Sequence, residues 1–464
     1  MRQDNGFDKY RKYFLVGIGG AGMSAIALVL AGMGYDVRGS DMKDSRYTLL
    51  LRKEGIPVII GHCGENVKDS QAVIYSAAIP ADNPELLRAG KAGIPVFSRS
   101  DILSWIINLK QGIAVAGTHG KTTTTSMISM VFRGLGLDPT IVVGGELNEL
   151  GSNAKSGNSQ YVVAEACESD GSFLKYRPFI GIITNIEPDH FDHYSSMDQL
   201  KESFTRFMLN IKKGGWLLIN GDETDPGSIP RRDDLNIITF GLSAGNDISA
   251  SDIGYRGLGS SYTLDYGNSF LRINLNVPGL HNIKNSMAAL AACRALDQDM
   301  EKAAHILEGF TGVRRRFERR GQIRGAEVFD DYAHHPSEIK ATLEAAFTGK
   351  GEGRVIAVFQ PHRYSRLAHL SREFGGAFQK SDILVITDVY GAGEQPLPGI
   401  NGKALVDSIL DNDFSSKIAY IPRLSDISGY IDSQIRSGDM LLLMGAGDIT
   451  RVTDELFKNK ENSG

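Results

Sequence analysis

The sequence predicts an α/β protein built from three doubly wound domains, and three observations carry that expectation. Apolar strand-like runs alternate with helix-like segments along the whole 464 residues. That length exceeds what one hydrophobic core ordinarily organises. Glycine-rich turns join a strand to a helix at 17–22 and again at 117–123, as in sheets that bind ligands at the carboxyl ends of their strands.

The elements follow in order. "KYFLVGI" (12–18) is an apolar strand, "GAGMSAIALVLAGMG" is helical in composition, and "YDVRGSD" (35–41) returns as a strand, a β–α–β unit. Strands at "AVIYSAA" (72–78) and "IPVF" (94–97) complete a Rossmann-like domain over 1–110. A second domain, 111–320, opens with "GIAVAG" (112–117) and continues through "YVVAEA" (161–166), "FIGIITN" (179–185) and "WLLIN" (216–220). Between about 246 and 277 the pattern turns to short alternating segments, read as antiparallel strands on this domain's edge. A helix is expected over 281–296. The rhythm then restarts with "VFDDYA", "RVIAVFQP", "ILVITDVY" and "DMLLLMGAGD", giving a second Rossmann-like domain over 321–464.

Composition narrows the function. Hydrophobic residues make up 42% and charged residues 23%, the balance of a water-soluble globular chain. The net charge of −5 argues against nucleic acid as a partner. No apolar run approaches the roughly 20 residues of a membrane span, and "MRQDNGFDKY" lacks the apolar stretch of a signal peptide. Cys63, Cys167 and Cys293 are scattered, without metal-ligand spacing, which points to a reducing compartment. The expectation is a cytoplasmic protein, monomeric or weakly dimeric, with no membrane or nucleic-acid partner.

"GTHGKTT" (117–123) follows a buried-type strand and opens a helix, the setting a phosphate loop needs. Free N–H groups at a helix start, with the helix dipole, attract an anion. Gly117 and Gly120 would let the backbone approach, Lys121 would neutralise terminal phosphates, and the Thr122 hydroxyl would hold Mg²⁺. Val115 stands where the first glycine of the longer phosphate-loop pattern would be. Helix capping alone would not call for Gly-Lys-Thr here. Gly17, Gly19 and Gly22 form a second cradle, with Asp41 at the end of the next strand where a ribose-binding acid would sit. Such a loop recognises a diphosphate on a helix N-terminus, so any nucleotide diphosphate would fit it. Tight strand–helix packing without a ligand is the bland alternative.

Charged groups gather after other strands. "AEACESDGSF" supplies Glu165, Glu168 and Asp170; "TNIEPDHFDHY" supplies Asn185, Asp189, His190, Asp192 and His193. Oxygen ligands with one imidazole, beside a phosphate loop, suit Mg²⁺. "GVRRRFERR" carries five arginines, better explained by a transferring phosphoryl group than by an isolated nucleic-acid patch. "FDDYAHHPSEI" and "FQPHRYSR" end two further strands, and Arg363 and Arg366 are spaced to grip a carboxylate.

Taken together, the chain resembles the Mur ligases of bacterial peptidoglycan synthesis. The landmarks are "GIGGAGMSAIA", "GTHGKTTTTSM", "EACESDGSF", "TNIEPDHFDHY", "GLHNIKNSMAA", "GVRRRFE", "DDYAHHPSEI", "FQPHRYSR" and "GAGD", in order along nearly the whole length. The match is nearest to the members that join L-alanine to the carboxylate of UDP-N-acetylmuramate at the expense of ATP. The resemblance implies an acyl phosphate and ADP, and then displacement of phosphate by the amine. It further implies that Gly117, Thr118, His119, Gly120, Lys121, Thr122 and Thr123 hold ATP, with Thr122, Glu165 and His190 as magnesium ligands. His281, Asn282 and Asn285 would lie near the adenine or phosphates, Arg316 would reach the γ-phosphate, and Asp331 the ribose. His335, Arg363 and Arg366 would orient the amino acid and the acyl phosphate. The UDP-sugar would lie against Gly17, Gly19, Gly20, Ala21, Gly22, Asp41 and Ser76.

Two positions depart from the family pattern. The carbamylated lysine of several members falls near Phe204, with Lys201 the nearest lysine, so none is expected here. Cys167 stands where aspartate is common and is expected to be a packed small side chain. The rivals are a recycling ligase that attaches a tripeptide to the same sugar nucleotide, a nicotinamide-dependent dehydrogenase using 17–22 and Asp41, and a non-catalytic nucleotide-binding regulator. The dehydrogenase reading leaves the lysine loop and the arginines unexplained.

Overall fold

The computed structural model describes residues 6–147, 152–190, 193–224, 227, 229–267 and 269–461. Three sheets are formed. The first is wholly parallel, in the order β3-β2-β1-β4-β5, from β1 (Lys12–Val16), β2 (Asp36–Asp41), β3 (Val58–Ile60), β4 (Ala72–Tyr75) and β5 (Val96–Ser98). β1 pairs with β2 on one side and β4 on the other, Val16 lying opposite Ser40 and Tyr75. The strand order therefore reverses at the end of β1, where sheets of this class open a crevice for ligands. The loop 17–22 begins there and feeds the helix Ala21–Gly32.

The second sheet contains β6 (Gln111–Ala116), β7 (Thr140–Leu147), β8 (Ser152–Lys155), β9 (Tyr161–Glu165), β10 (Ile180–Ile183), β11 (Trp216–Asn220), β12 (Asn236–Gly241) and β13 (Ile248–Arg256). Their order is β13-β12-β11-β10-β6-β9-β7-β8. β6 is central, its Ile113, Ala114, Val115 and Ala116 fully buried. Such all-apolar strands are what a parallel sheet covered on both faces requires. β9 and β10 flank β6 in parallel register, so the chain leaves all three at the same edge. β7 and β8 pair antiparallel.

The antiparallel strands expected over 246–277 are present. β14 (Gly259–Asp265) and β15 (Phe270–Leu275) pair antiparallel, and β13 lies beside β14, joined to it by Gly257 and Leu258 alone, a connection too short for a parallel crossover. On its other side β13 runs parallel to β12, Phe240 opposite Ile248, which alternation in sequence does not report.

The third sheet has the order β16-β17-β21-β18-β19-β20, from β16 (Glu318–Ile323), β17 (Ala326–Asp331), β18 (Val355–Phe359), β19 (Ile383–Ile386), β20 (Lys417–Tyr420) and β21 (Met440–Met444). It is parallel except for the β16–β17 hairpin. Val355, Ala357 and Phe359 of β18 join one apolar core with Ile339 and Leu343, while Ile356 and Val358 join another with Ile427 and Val452. Period-two alternation thus feeds two apolar layers, each lined by helices.

The described chain divides into two compact units. One comprises the residues up to Ile186 with Leu200–Ser249 and Ser286–Ile306; the other comprises Glu187–Gln199 and Ala250–Asn285 with the chain from Leu307 onward. β3, β7, β8, β12, β16 and β20 were not anticipated, nor was the helix Arg99–Leu109. That helix carries a capping box between Ser98 and Asp101, a signal the Ser-x-x-Asp spacing already held.

Candidate active site

In the first unit, the buried β6 delivers Gly117 to the head of the helix Lys121–Gly134. Gly117 has φ +131° and Gly120 φ +80°. A Cβ on Gly117 would lie 2.1 Å from the Thr184 hydroxyl, so only glycine fits. The loop is clamped by the residues that follow β10. The Thr184 hydroxyl donates to the His119 carbonyl at 2.6 Å, and the His119 N–H donates to Asn185 Oδ1 at 2.8 Å. The Thr118 N–H donates to the Asn185 carbonyl at 3.2 Å. Lys121, Thr122 and Thr123 open the helix, where first-turn N–H groups have no intrahelical acceptor.

Lys121 folds back onto its own loop. Its ammonium donates to the carbonyls of Gly117 and Thr118 and, at 2.9 Å, to Glu168 Oε1. Its side chain is 13% exposed and that of Glu168 1%. Burial opposes the ammonium charge, but Glu168 outweighs it, helped by Glu165, and the lysine is held above its usual range. Glu165, at the end of β9, accepts the Gly144 N–H at 2.7 Å. Cys167 lies 3.1 Å from the Ser169 hydroxyl; burial, then Glu168, pushes its thiol pKa up, so it packs as a neutral side chain. Phe204 is fully buried and Lys201 is exposed.

The glycine cradle of the same unit is built as tightly. Gly17, at φ +77°, and Ile18 both donate to the Ser40 carbonyl at 2.9 Å. Asp41 Oδ2 accepts the Gly19 N–H at 2.9 Å. A Cβ on Gly19 would meet Thr48 Cγ2 at 2.7 Å and Asp41 Oδ2 at 2.8 Å; one on Gly22 would meet an Arg99 nitrogen at 2.6 Å. Gly20 is the N-cap of the helix beginning at Ala21, without a side-chain cap. Ser76 borders Gly17, with 3.6 Å between its Cβ and the Gly17 Cβ position. Arg99 beside this loop escaped the sequence reading, because an arginine opening an unrecognised helix carries no motif.

The second unit gathers the remaining candidates. His190, at φ +57°, donates its N–H to Asp189 Oδ1 at 2.8 Å. Asp189 is gripped by Arg366 through Nε and Nη2, at 3.1 and 3.3 Å, with both side chains buried. Burial works against the Asp189 charge, but Arg366 and His190 outweigh it and hold the carboxyl well below the usual carboxylate range. Arg366 thus already grips a carboxylate, belonging to the protein itself. Arg363, at φ +69°, faces Glu394 at 3.8 Å. His335 accepts the Ser337 N–H on Nδ1 at 3.3 Å, which leaves Nε2–H to donate to the Pro188 carbonyl at 3.1 Å.

Arg316 Nη1 lies 3.3 Å from Glu338, and its guanidinium sits over the Tyr332 ring at 5.2 Å. Burial and then Arg316 lower the pKa of His281 to about 4, so it is neutral near pH 7. Asn282 donates to the Pro278 carbonyl at 2.7 Å, and Asn285 to Asn282 at 3.3 Å. Asp331 is buried, and its oxygens accept the N–H groups of Ala333 and Phe317 at 2.6 and 2.8 Å. Burial raises its pKa to about 6, against the lowering effect of Arg316 and these N–H groups. Asp192 lies outside the described residues.

The proposed metal donors are a hydroxyl, a carboxylate and an imidazole: Thr122 and Glu165 in the first unit and His190 in the second. That oxygen-rich set fits Mg²⁺. Asn185 and Glu168 were expected among the oxygen donors beside the loop; they hold the loop backbone and Lys121 instead. Thr184 was not among the expected site residues, and its signal was the Thr-Asn pair ending a strand next to the loop strand.

Comparison with known proteins identifies the family. Residues 12–111 match the Mur ligase family catalytic domain, 115–293 the Mur ligase middle domain, and 315–447 the Mur ligase glutamate ligase domain. The UDP-N-acetylmuramate–L-alanine ligase of Pelotomaculum thermopropionicum is 45% identical over 98% of this chain and 99% of its own. The enzyme of the same name from Rubrobacter xylanophilus is 45% identical over 96% of this chain and 99% of its own. The crystal structure of the UDP-N-acetylmuramate–alanine ligase of Thermotoga maritima superposes with a TM-score of 0.81 at 30% identity, covering 98% of this chain and 100% of that one. A murein peptide ligase of Psychrobacter arcticus, at 22% identity and a TM-score of 0.70, shares the fold. With three successive domain matches and full-length relatives of this similarity, the chain belongs to the Mur ligase family.

Proposed function

We propose that the chain is an ATP-dependent ligase that joins L-alanine to the carboxylate of UDP-N-acetylmuramate, forming ADP and phosphate in peptidoglycan precursor synthesis. One observation carries the reading: relatives bearing that name are 45% identical along almost the entire chain. The two cradles support it, because two phosphorylated substrates need two anion sites and only one of them reacts. The loop 117–123 has a lysine and a hydroxyl for a reacting triphosphate; the loop 17–22 has neither, and the N–H groups at the start of the helix Ala21–Gly32, with Arg99 beside them, suit a diphosphate that stays intact.

In the first step a carboxylate oxygen of the sugar nucleotide attacks the γ-phosphorus, and the bond to the β–γ bridging oxygen breaks to release ADP. The amine of L-alanine then adds to the acyl carbon, and phosphate leaves. Lys121 exchanges Glu168 for the terminal phosphates, and Arg316 meets the charge on the transferring group. Thr122, Glu165 and His190 would hold Mg²⁺, which when bound offsets charge on the phosphoryl oxygens. His281, Asn282, Asn285 and Asp331 line the nucleotide side, while His335 and Arg363 orient the amino acid. We place the enzyme in the cytoplasm, where ATP is supplied; among the described residues no helix is long and apolar enough to cross a membrane.

The test is ADP release by the purified chain with UDP-N-acetylmuramate, ATP and either L-alanine or a tripeptide, each omitted in turn. Release only with all three of sugar nucleotide, ATP and L-alanine is expected. Release with the tripeptide alone would move the chain to the recycling activity, and NAD reduction without ATP would overturn the ligase reading.

A further inference from the structure

We infer that Arg366 is a positioning residue: through Asp189 it fixes the loop that presents His190. The inference rests on the reading of His190 as a magnesium ligand. Four successive residues of that loop, within the stretch matched to the middle domain, are held by or through residues of the stretch matched to the glutamate ligase domain. Glu187 accepts from the Ser337 hydroxyl. The Pro188 carbonyl accepts from His335 Nε2–H at 3.1 Å. Asp189 takes two bonds from Arg366, at 3.1 and 3.3 Å. Asp189 then holds His190, accepting its N–H at 2.8 Å and standing 3.8 Å from its Nε2.

The backbone of His190 makes this support necessary. At φ +57° it occupies the left-handed region, which a non-glycine residue keeps only when its surroundings over-determine it. Asp189 supplies that constraint, and Arg366 fixes Asp189 with a planar fork that one ammonium could not reproduce. The third nitrogen, Nη1, donates to the His362 carbonyl at 3.2 Å and lies 3.1 Å from His362 Nδ1. With its side chain 7% exposed, the guanidinium is fully engaged within the protein. A substrate carboxylate could take it only by leaving Asp189 buried and unpaired, which is strongly unfavourable. Seating of the helix Tyr364–His369 and the geometry of His190 are therefore one event. Partners that orient a metal-ligating imidazole are what such sites depend on.

The experiment titrates Mn²⁺ into the full-length protein with a non-hydrolysable ATP analogue, read by electron paramagnetic resonance, alongside L-alanine kinetics at saturating Mg²⁺. Arg366→Ala and Asp189→Asn should each weaken Mn²⁺ binding about tenfold to a hundredfold, with the L-alanine KM little changed. The double variant should be no weaker than either single one, since both remove the same constraint. Arg366→Lys, the milder change should the alanine variant fold poorly, should fall between wild type and Arg366→Ala. Unchanged Mn²⁺ affinity with a raised L-alanine KM would overturn the inference, because the arginine would then meet the amino acid directly; additive losses would overturn it too. His190→Ala separates the two readings. If it weakens Mn²⁺ binding and Arg366→Ala does not, this inference alone fails; if it leaves Mn²⁺ binding intact, the ligand assignment fails and takes the inference with it.

Discussion

The Lys121–Glu168 pair makes a prediction whose size can be worked from its geometry. We predict that Glu168→Gln destabilises the ATP-free protein and tightens ATP binding. The pair is short, at 2.9 Å, and its side chains are 13% and 1% exposed. Removing one partner of such a pair typically costs about 3–5 kcal/mol, because the other charge stays buried. Glutamine keeps an acceptor for one ammonium bond, and the Gly117 and Thr118 carbonyls remain, so the loss should be roughly half, about 2 kcal/mol. ATP brings its own negative charge to the lysine, so the bound state should lose much less. The difference appears as affinity, up to roughly thirtyfold if all 2 kcal/mol is recovered. The assay is thermal unfolding with and without Mg-ATP, together with calorimetric titration of a non-hydrolysable analogue. A lower melting point without ATP and a larger ATP-induced rise are expected. An unchanged melting point, or weaker ATP binding, would refute the reasoning and make Glu168 part of the ATP site itself.

Lys121→Ala should cut turnover by on the order of 10²–10³ while leaving a folded protein, the loss expected for one preorganised charge on a developing oxyanion; near wild-type turnover in the ADP-release assay would remove the ATP loop from the mechanism. Gly19→Val places a branched side chain against Thr48 and Asp41 and should raise the KM for the UDP-sugar sharply. ATP affinity by calorimetry should be preserved, and its loss would mean that the two cradles have been assigned the wrong way round. Arg363→Ala should raise the L-alanine KM more than the ATP KM; a change confined to ATP would contradict its role. Asp331, raised from 3.8 to about 6, stays protonated in the folded chain where the unfolded chain has ionised. Its contribution therefore falls as pH rises from about 4 to 6. His281 and His362 (each to about 4) and His334 (to about 3), all lowered from 6.5, act oppositely in that window. The test is accordingly the difference between wild type and Asp331→Asn: melting curves from pH 4 to 6 should show the variant gaining on wild type as pH rises, and a constant difference would refute the raised pKa.

The sequence by itself determined the architecture and most of the chemistry. Apolar runs such as "IAVA" and "LLLM", short and followed by glycine turns, read as buried strands, and glycines that bear φ +77° or +131° in the structure stand where a strand turns into a helix. Both glycine-rich loops were legible for that reason, since they are local: one strand end, one turn, one helix start. What escaped was everything decided by pairing at a distance. The parallel pairing of β13 with β12 was not visible, and the strands β3, β16 and β20 are recognisable only beside their neighbours. The same holds within the site. Nothing in "FQPHRYSR" says that Arg366 answers to Asp189, more than a hundred and seventy residues earlier in the chain, or that Lys121 is held by Glu168. The tertiary structure decided these partnerships, because a buried charge must find its opposite within about 4 Å, and only the packing of strand ends side by side determines which carboxylate is that near.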